Sequence, residues 1–182
     1  MLFGGGFDPP HLGHQTMVAN ILKSQLTDQV WYVPSAKHPF NKSLTDSEHR
    51  LKMLSYILVP QTKIELYEIN KPGIGYSYET LKHFSQMQTQ NIFSWLIGSD
   101  QLASFDKWKD YQQLLSEFKV YVYPRTDFPL KPLYAGMIPL TDFEEITVAS
   151  NKIRQLVKDG QSITGLVDKQ VEAYILQNRL YT

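Results

Sequence analysis

A doubly wound α/β fold, with a mostly parallel sheet covered by helices on both faces, follows from three features of this sequence. Short apolar runs alternate with segments of helical periodicity along the 182 residues. The runs at 30–33, 92–97 and 120–123 are dominated by apolar and aromatic residues, as strands buried on both faces require. A turn built on Gly4, Gly5 and Gly6 joins the first apolar run to the first helical pattern, and ligands in such sheets bind beyond the carboxyl ends of the strands.

The elements read in order as follows. Residues 2–4 form a first strand and 13–26 a helix, with Met17, Val18, Ile21, Leu22 and Leu26 on one face. Residues 30–33 form a second strand ending at Pro34, and a polar loop follows. The run Thr45-Asp46-Ser47-Glu48 matches a capping box and opens a helix whose inner face carries Leu51, Leu54, Ile57 and Leu58. Residues 64–69 alternate as a strand, 78–87 read as a helix, 92–97 as a strand, 111–118 as a helix and 120–123 as a strand. The proline-bearing stretch 126–136 reads as an insertion, and 146–148 as a last strand. Ser150 is placed to cap a helix over 151–158 closed by Gly160, and a final helix spans 168–178. The whole chain, 1–182, reads as one domain, with the C-terminal helices (150–182) packing as part of it.

Composition narrows the function. Eighteen basic and eighteen acidic residues leave no net charge, so nothing global draws the chain to nucleic acid polymers or membrane surfaces. No apolar run approaches the ~18 residues of a membrane span, and no signal-peptide pattern precedes Gly4. The absence of cysteine excludes disulfides, thiolate catalysis and thiolate zinc sites, and fits a cytoplasmic protein.

The chemistry concentrates in Gly4-Gly5-Gly6-Phe7-Asp8-Pro9-Pro10-His11-Leu12-Gly13-His14. Neither the G-x-G-x-x-G fingerprint nor the Walker A loop is present. An isolated H-x-x-H is most simply a surface turn, and less often a metal pair; no third ligand stands nearby at zinc-like spacing. The flanking glycines and the strand-to-helix context favour phosphate instead. Glycine lets backbone approach an anion, and the first turn of the helix offers free N–H groups at the positive end of its dipole.

This run resembles the signature G-G-[ST]-F-D-P-x-H-x-G-H of the nucleotidylyltransferase superfamily, and its wording is similar to bacterial nicotinate-nucleotide adenylyltransferases. The resemblance implies a Rossmann-like fold, with His11 and His14 catalytic and Gly5, Gly6, Phe7 and Gly13 lining the ATP site. Further motifs fit. Gly98 and Asp100 follow a buried strand; by itself I-G-x-D is a capped turn, yet an Asp there can accept from ribose hydroxyls, and the family contacts adenosine at this place. Ser150, Ile153 and Arg154 begin a helix whose N–H groups and guanidinium suit a polyphosphate, resembling the family's I-S-S-T-x-I-R. Tyr76 and Ser77 match the stretch whose backbone recognises the nicotinate carboxylate, and Trp108 the tryptophan beside the pyridine ring. Lys37, His38 and Lys42 offer positive charge near the acceptor, and Arg125 matches a family arginine. Departures are Gly6 for a hydroxyl residue, Ala149 and Asn151 in the second phosphate motif, and the loop 38–41.

The resemblance therefore implies transfer of AMP from ATP to nicotinate mononucleotide, giving deamido-NAD and pyrophosphate. Magnesium would be carried by the ATP phosphates, with no metal held by the protein alone. Small molecules are the expected partners. Two alternatives stay open: another phosphorylated acceptor, such as nicotinamide mononucleotide or phosphopantetheine, or a nucleotide-binding relative with little activity.

Overall fold

The computed structural model describes residues 1–37 and 43–182. Six strands, β1 (Leu2–Gly5), β2 (Val30–Pro34), β3 (Thr62–Ile64), β4 (Ser94–Gly98), β5 (Lys119–Tyr123) and β6 (Met137–Pro139), form one sheet in the order β3-β2-β1-β4-β5-β6. Every neighbouring pair is parallel. The chain winds outward from β1 to β3, then crosses back to β4. The strand order therefore reverses between β1 and β4, where Leu2 pairs Trp95 and Phe3 pairs Leu96.

Side-chain alternation along each strand builds two cores. Phe3, Tyr32, Leu96, Tyr121 and Tyr123 face one side, where they meet α1 (Leu12–Lys23), α2 (Ser47–Ser55), α6 (Ser150–Lys158) and α7 (Lys169–Gln177). Leu2, Trp31, Val33, Trp95, Ile97, Val120 and Val122 face the other, against α4 (Ser77–Met87), the 3-10 helix Ser99–Lys107 and α5 (Tyr111–Glu117). This is the period-two pattern of strands buried on both faces. Tyr67, opening the one-turn helix α3 (Tyr67–Asn70), joins the second core.

Several expectations are corrected. Residues 64–69 are not one strand: β3 ends at Ile64 and α3 turns Tyr67 and Glu68 inward, a tertiary preference that alternation alone conceals. Ile92 is 94% exposed and lies ahead of β4. Ile146 makes only an isolated bridge to Arg125, while the sixth strand is 137–139, just after the supposed insertion. The α2 helix buries Arg50, Met53 and Leu54, and Ile57 beyond it is buried, whereas Leu51 is half-buried and Leu58 exposed; its inner face is thus rotated toward Arg50. Asp46, not Thr45, caps α2, accepting from Glu48 N–H at 3.1 Å. Helix α1 ends at Lys23, leaving Leu26 exposed. Gly160, at φ 66°, does close α6, with Gln161 N–H bonded to Leu156 O and Gly160 N–H to Val157 O.

Candidate active site

The carboxyl ends of β1 and β4 open onto the glycine turn, and the turn is held from behind. The carbonyl of Gly5 accepts from Ser35 N–H at 3.0 Å, and that of Gly6 from Arg50 Nη1 at 2.8 Å. Arg154 Nη1 donates to Asp8 O at 2.6 Å and Ser150 Oγ to Pro9 O at 2.9 Å. Arg50 is only 1% exposed and also gives its Nε to Thr45 O at 2.7 Å. Trans peptides set N–H opposite C=O, so occupation of the Gly5 and Gly6 carbonyls turns the N–H groups of Gly6 and Phe7 away from these donors. Phe7 takes a left-handed φ of 49°, an uncommon state for an aromatic residue. Its buried ring anchors the bend by packing edge-on against Phe3 and Tyr32 at 5.5 Å each and His14 at 5.1 Å. Of Phe7, therefore, main chain rather than side chain is available to a nucleotide. Gly6 has an ordinary φ; a Cβ there would lie 3.0 Å from Leu44 Cδ2, so Leu44 occupies the side of the turn where the family signature carries a hydroxyl residue.

His11 is the N-cap of α1 and His14 its third residue. Their rings stack with centroids 3.7 Å apart and planes 23° apart. His11 N–H donates to His14 Nδ1 at 3.2 Å, which in the neutral ring leaves the proton on Nε2. Burial pushes His11 well below the ordinary histidine value, helped by His14 and by the positive charge of Arg125. Burial, then Arg125, lowers His14 to about 3. Both rings are thus neutral at pH 7 and act as donors without carrying charge. His11 Nδ1 has no partner among the described residues. Gly13 leaves no room for a side chain: a Cβ would overlap Ile146 and lie 3.0 Å from His11 Nδ1. The open helix end is narrower than the sequence implies, because Leu12 N–H donates to Leu166 O at 3.0 Å and His14 N–H to His11 O at 2.9 Å.

Across the switch point, the space above Gly98 is filled by the Asp100 carboxylate and the Arg125 side chain; a Cβ at 98 would overlap Asp100 Oδ1 and lie 2.7 Å from Arg125 Cδ. Arg125 Nε stands 3.4 Å from Asp100 Oδ1, and its Nη2 donates to Val148 O at 2.7 Å. Arg125 thereby ties the Gly98–Asp100 turn to the segment that leads into α6, a link that its place in the sequence does not reveal. Ser150 does not cap α6. Ala149 holds the N-cap position without a side-chain bond, Ser150 serves the turn instead, and Ile153 is buried in the core.

Tyr76 is the N-cap of α4 and Ser77 its first residue, both half-buried. Lys109 Nζ stands 4.6 Å over the Tyr76 ring and donates to Glu79 Oε1 at 2.7 Å, while Lys71 binds the other oxygen of Glu79. Lys109 follows Trp108, so this ion pair draws the two expected acceptor segments together. Beneath them Glu68, buried, accepts from Thr80 Oγ1 at 2.8 Å; its carboxyl is raised above the usual range by burial, which the Thr80 and Ser35 hydrogen bonds oppose. The sequence flagged none of Glu68, Lys71, Glu79 or Lys109. His38 and Lys42 lie outside the described residues, and Lys37 is exposed.

Residues 2–156 match the family described as cytidylyltransferase-like. The chain belongs to the cytidylyltransferase-like family. Among curated cytidylyltransferase-like relatives, it is 33% identical to the probable nicotinate-nucleotide adenylyltransferase of Cytophaga hutchinsonii, with 100% of this chain and 97% of that protein covered. It is 30% identical to the nicotinate-nucleotide adenylyltransferase of Bacillus subtilis, covering 99% and 96%. The fold matches the Plasmodium falciparum nicotinic acid mononucleotide adenylyltransferase complexed with NaAD, with a TM-score of 0.82 at 21% identity over 99% of this chain and 95% of that one. The residues that place this chain in the cytidylyltransferase-like family end at 156, and the remainder reaches back to the turn through Tyr181, whose hydroxyl donates to Asp8 Oδ1 at 2.7 Å. Among the described residues, no helix is long and apolar enough to cross a membrane.

Proposed function

We propose that this chain transfers the adenylyl group of ATP to nicotinate mononucleotide, in the cytoplasm, forming deamido-NAD and pyrophosphate. The observation that carries this reading is the stacked, neutral His11–His14 pair at the N-terminus of α1, directly after the glycine turn at the carboxyl end of β1, where the strand order reverses between β1 and β4. A phosphate oxygen of the acceptor attacks the α-phosphorus of ATP. The bond from that phosphorus to the α,β-bridging oxygen breaks, and pyrophosphate leaves with the electron pair. The attacking oxygen already carries charge, so no strong base is needed, and catalysis rests on positioning and stabilisation of charge.

Gly5, Gly6 and Phe7 present main chain to the phosphates, and Gly13 lets Ile146 and the His11 ring pack closely at the start of α1 beside the ATP site. His14 Nε2–H and the His11 ring stabilise the charge growing on the α-phosphoryl oxygens. Asp100 and the backbone at Gly98 take the adenosine, with Arg125 exchanging part of its contact with Asp100 for phosphate. The first N–H groups of α6 at Ser150, the main chain toward Ile153, and Arg154 hold the leaving pyrophosphate; Arg154 spends one nitrogen on Asp8 O and has further donors to offer. Tyr76 and Ser77 meet the nicotinate carboxylate, and Trp108 flanks the pyridine ring. Magnesium enters with ATP as part of the substrate.

The test is pyrophosphate release from ATP with nicotinate mononucleotide or nicotinamide mononucleotide, with the dinucleotide identified by mass. Faster turnover of the acid is expected. Preference for the amide would overturn the acceptor assignment alone, and no release with either would overturn adenylyl transfer.

A further inference from the structure

The last residues of the chain make a contact that the reaction above does not use. Helix α7 ends in a Schellman turn: Leu180 N–H donates to Ile175 O at 3.0 Å and Arg179 N–H to Leu176 O at 3.3 Å, with Arg179 at φ 51°. Tyr181 follows at φ 66°. Two non-glycine residues in left-handed conformations turn the chain back onto its own core, where Leu180 and Tyr181 pack. The Tyr181 hydroxyl then reaches Asp8 across 173 positions of sequence.

Asp8 is 4% exposed, and both of its carboxylate oxygens are engaged: Oδ1 accepts from Tyr181, and Oδ2 from Thr45 N–H at 3.0 Å. Its own carbonyl is bound by Arg154, and the Gly6 carbonyl two residues earlier by Arg50. Asp8 directly follows Phe7, whose N–H lies opposite the Gly6 carbonyl that Arg50 binds. A carboxylate fixed at both oxygens cannot swing, and so holds the main chain that presents this N–H. Arg50, Arg154 and Thr45 also bind the turn or its neighbour, but removing either arginine takes away a charge, and the Thr45 donor is main chain. Among the described residues, Tyr181 alone offers Asp8 itself a neutral side-chain donor that one oxygen deletion removes; the Ser150 hydroxyl binds the next carbonyl, that of Pro9.

We infer that Tyr181 is a positioning residue for adenylyl transfer, its hydroxyl fixing Asp8 so that the phosphate turn stays aligned with His11 and His14. The inference rests on the function proposed above. Tyr181→Phe should lower kcat about tenfold while leaving KM for ATP and for nicotinate mononucleotide within about twofold, as misalignment at the reacting centre does. In an Asp8→Ala background, which leaves no side-chain acceptor, the same substitution should lower kcat no further, because both act through one contact. A readout independent of turnover is the ¹⁵N–¹H spectrum, in which the Gly6 and Phe7 amides should shift in Tyr181→Phe while those of β5 stay in place. A kcat within twofold of wild type, an additive loss in the Asp8→Ala background, or unmoved Gly6 and Phe7 amides would each overturn the inference. Failure of the wild-type protein to form the dinucleotide would instead overturn the functional reading, and the amide shifts would still decide whether Tyr181 fixes the turn.

Discussion

His14→Ala removes one imidazole at the centre of the site, and its consequences can be worked through contact by contact. The proton on His14 Nε2, fixed there because Nδ1 accepts from His11 N–H at 3.2 Å, is lost as a donor to the α-phosphoryl oxygens. A single preorganised donor at a developing charge contributes about 3–4 kcal/mol, or roughly 10²–10³ in kcat. The stacked neighbour at 3.7 Å disappears as well, so the His11 ring loses the surface that fixes its plane, placing the expected loss toward the upper end of that range. Stability should change less. The aromatic contacts to Phe7 at 5.1 Å and Phe3 at 5.6 Å and one hydrogen bond are lost, while alanine is the better helix former, for a net cost of about 1–2 kcal/mol. A typical domain survives that loss folded. The assay is steady-state pyrophosphate release, with circular dichroism to confirm folding and calorimetry to follow ATP binding. A folded His14→Ala protein turning over within tenfold of wild type would refute the role given to the imidazole pair.

Three further outcomes are expected. Gly98→Ala drives a methyl group into the Asp100–Arg125 contact; overpacking costs about 1–3 kcal/mol, so Tm should fall by several degrees and KM for ATP should rise more than KM for the acceptor. Arg179→Gly relieves a left-handed residue at the α7 Schellman turn and should raise stability by up to about 1 kcal/mol in urea unfolding, with kcat unchanged. The histidines set an acid limb. His14 binds a proton in the unfolded chain below pH 6.5 but in the native protein only near pH 3, so stability falls as pH drops through that window. At pH 5 the loss from His14 is at most about 2 kcal/mol, and denaturant unfolding of His14→Ala should show a correspondingly shallower decline between pH 7 and 5.

The sequence by itself determined the α/β class, most of its alternating elements and the glycine turn before α1, and it supplied the residues proposed for the site. Those properties are written in local signals: apolar runs, helical periodicity, and glycines and prolines that restrict backbone angles. It misread 64–69 because a half-buried alternation is compatible with a strand or with a strand end followed by one helical turn, and only the packing of Glu68 beneath Thr80 decides between them. It placed Ser150 as a helix cap because a serine before a helix usually is one; the nearby Pro9 carbonyl, 141 positions away, claims that hydroxyl instead. Arg50 and Tyr181 could not be read as parts of the site, since each acts through main chain or a carboxylate brought close only by folding; Arg125 is legible only as a match to a family arginine, and its contacts with Asp100 and Val148 come from the fold. Tertiary structure alone decided which way the turn faces. Its Gly5 and Gly6 carbonyls are satisfied by Ser35 and Arg50, and a planar trans peptide sets the following N–H groups, of Gly6 and Phe7, on the side opposite those donors, where the nucleotide phosphates are proposed to lie.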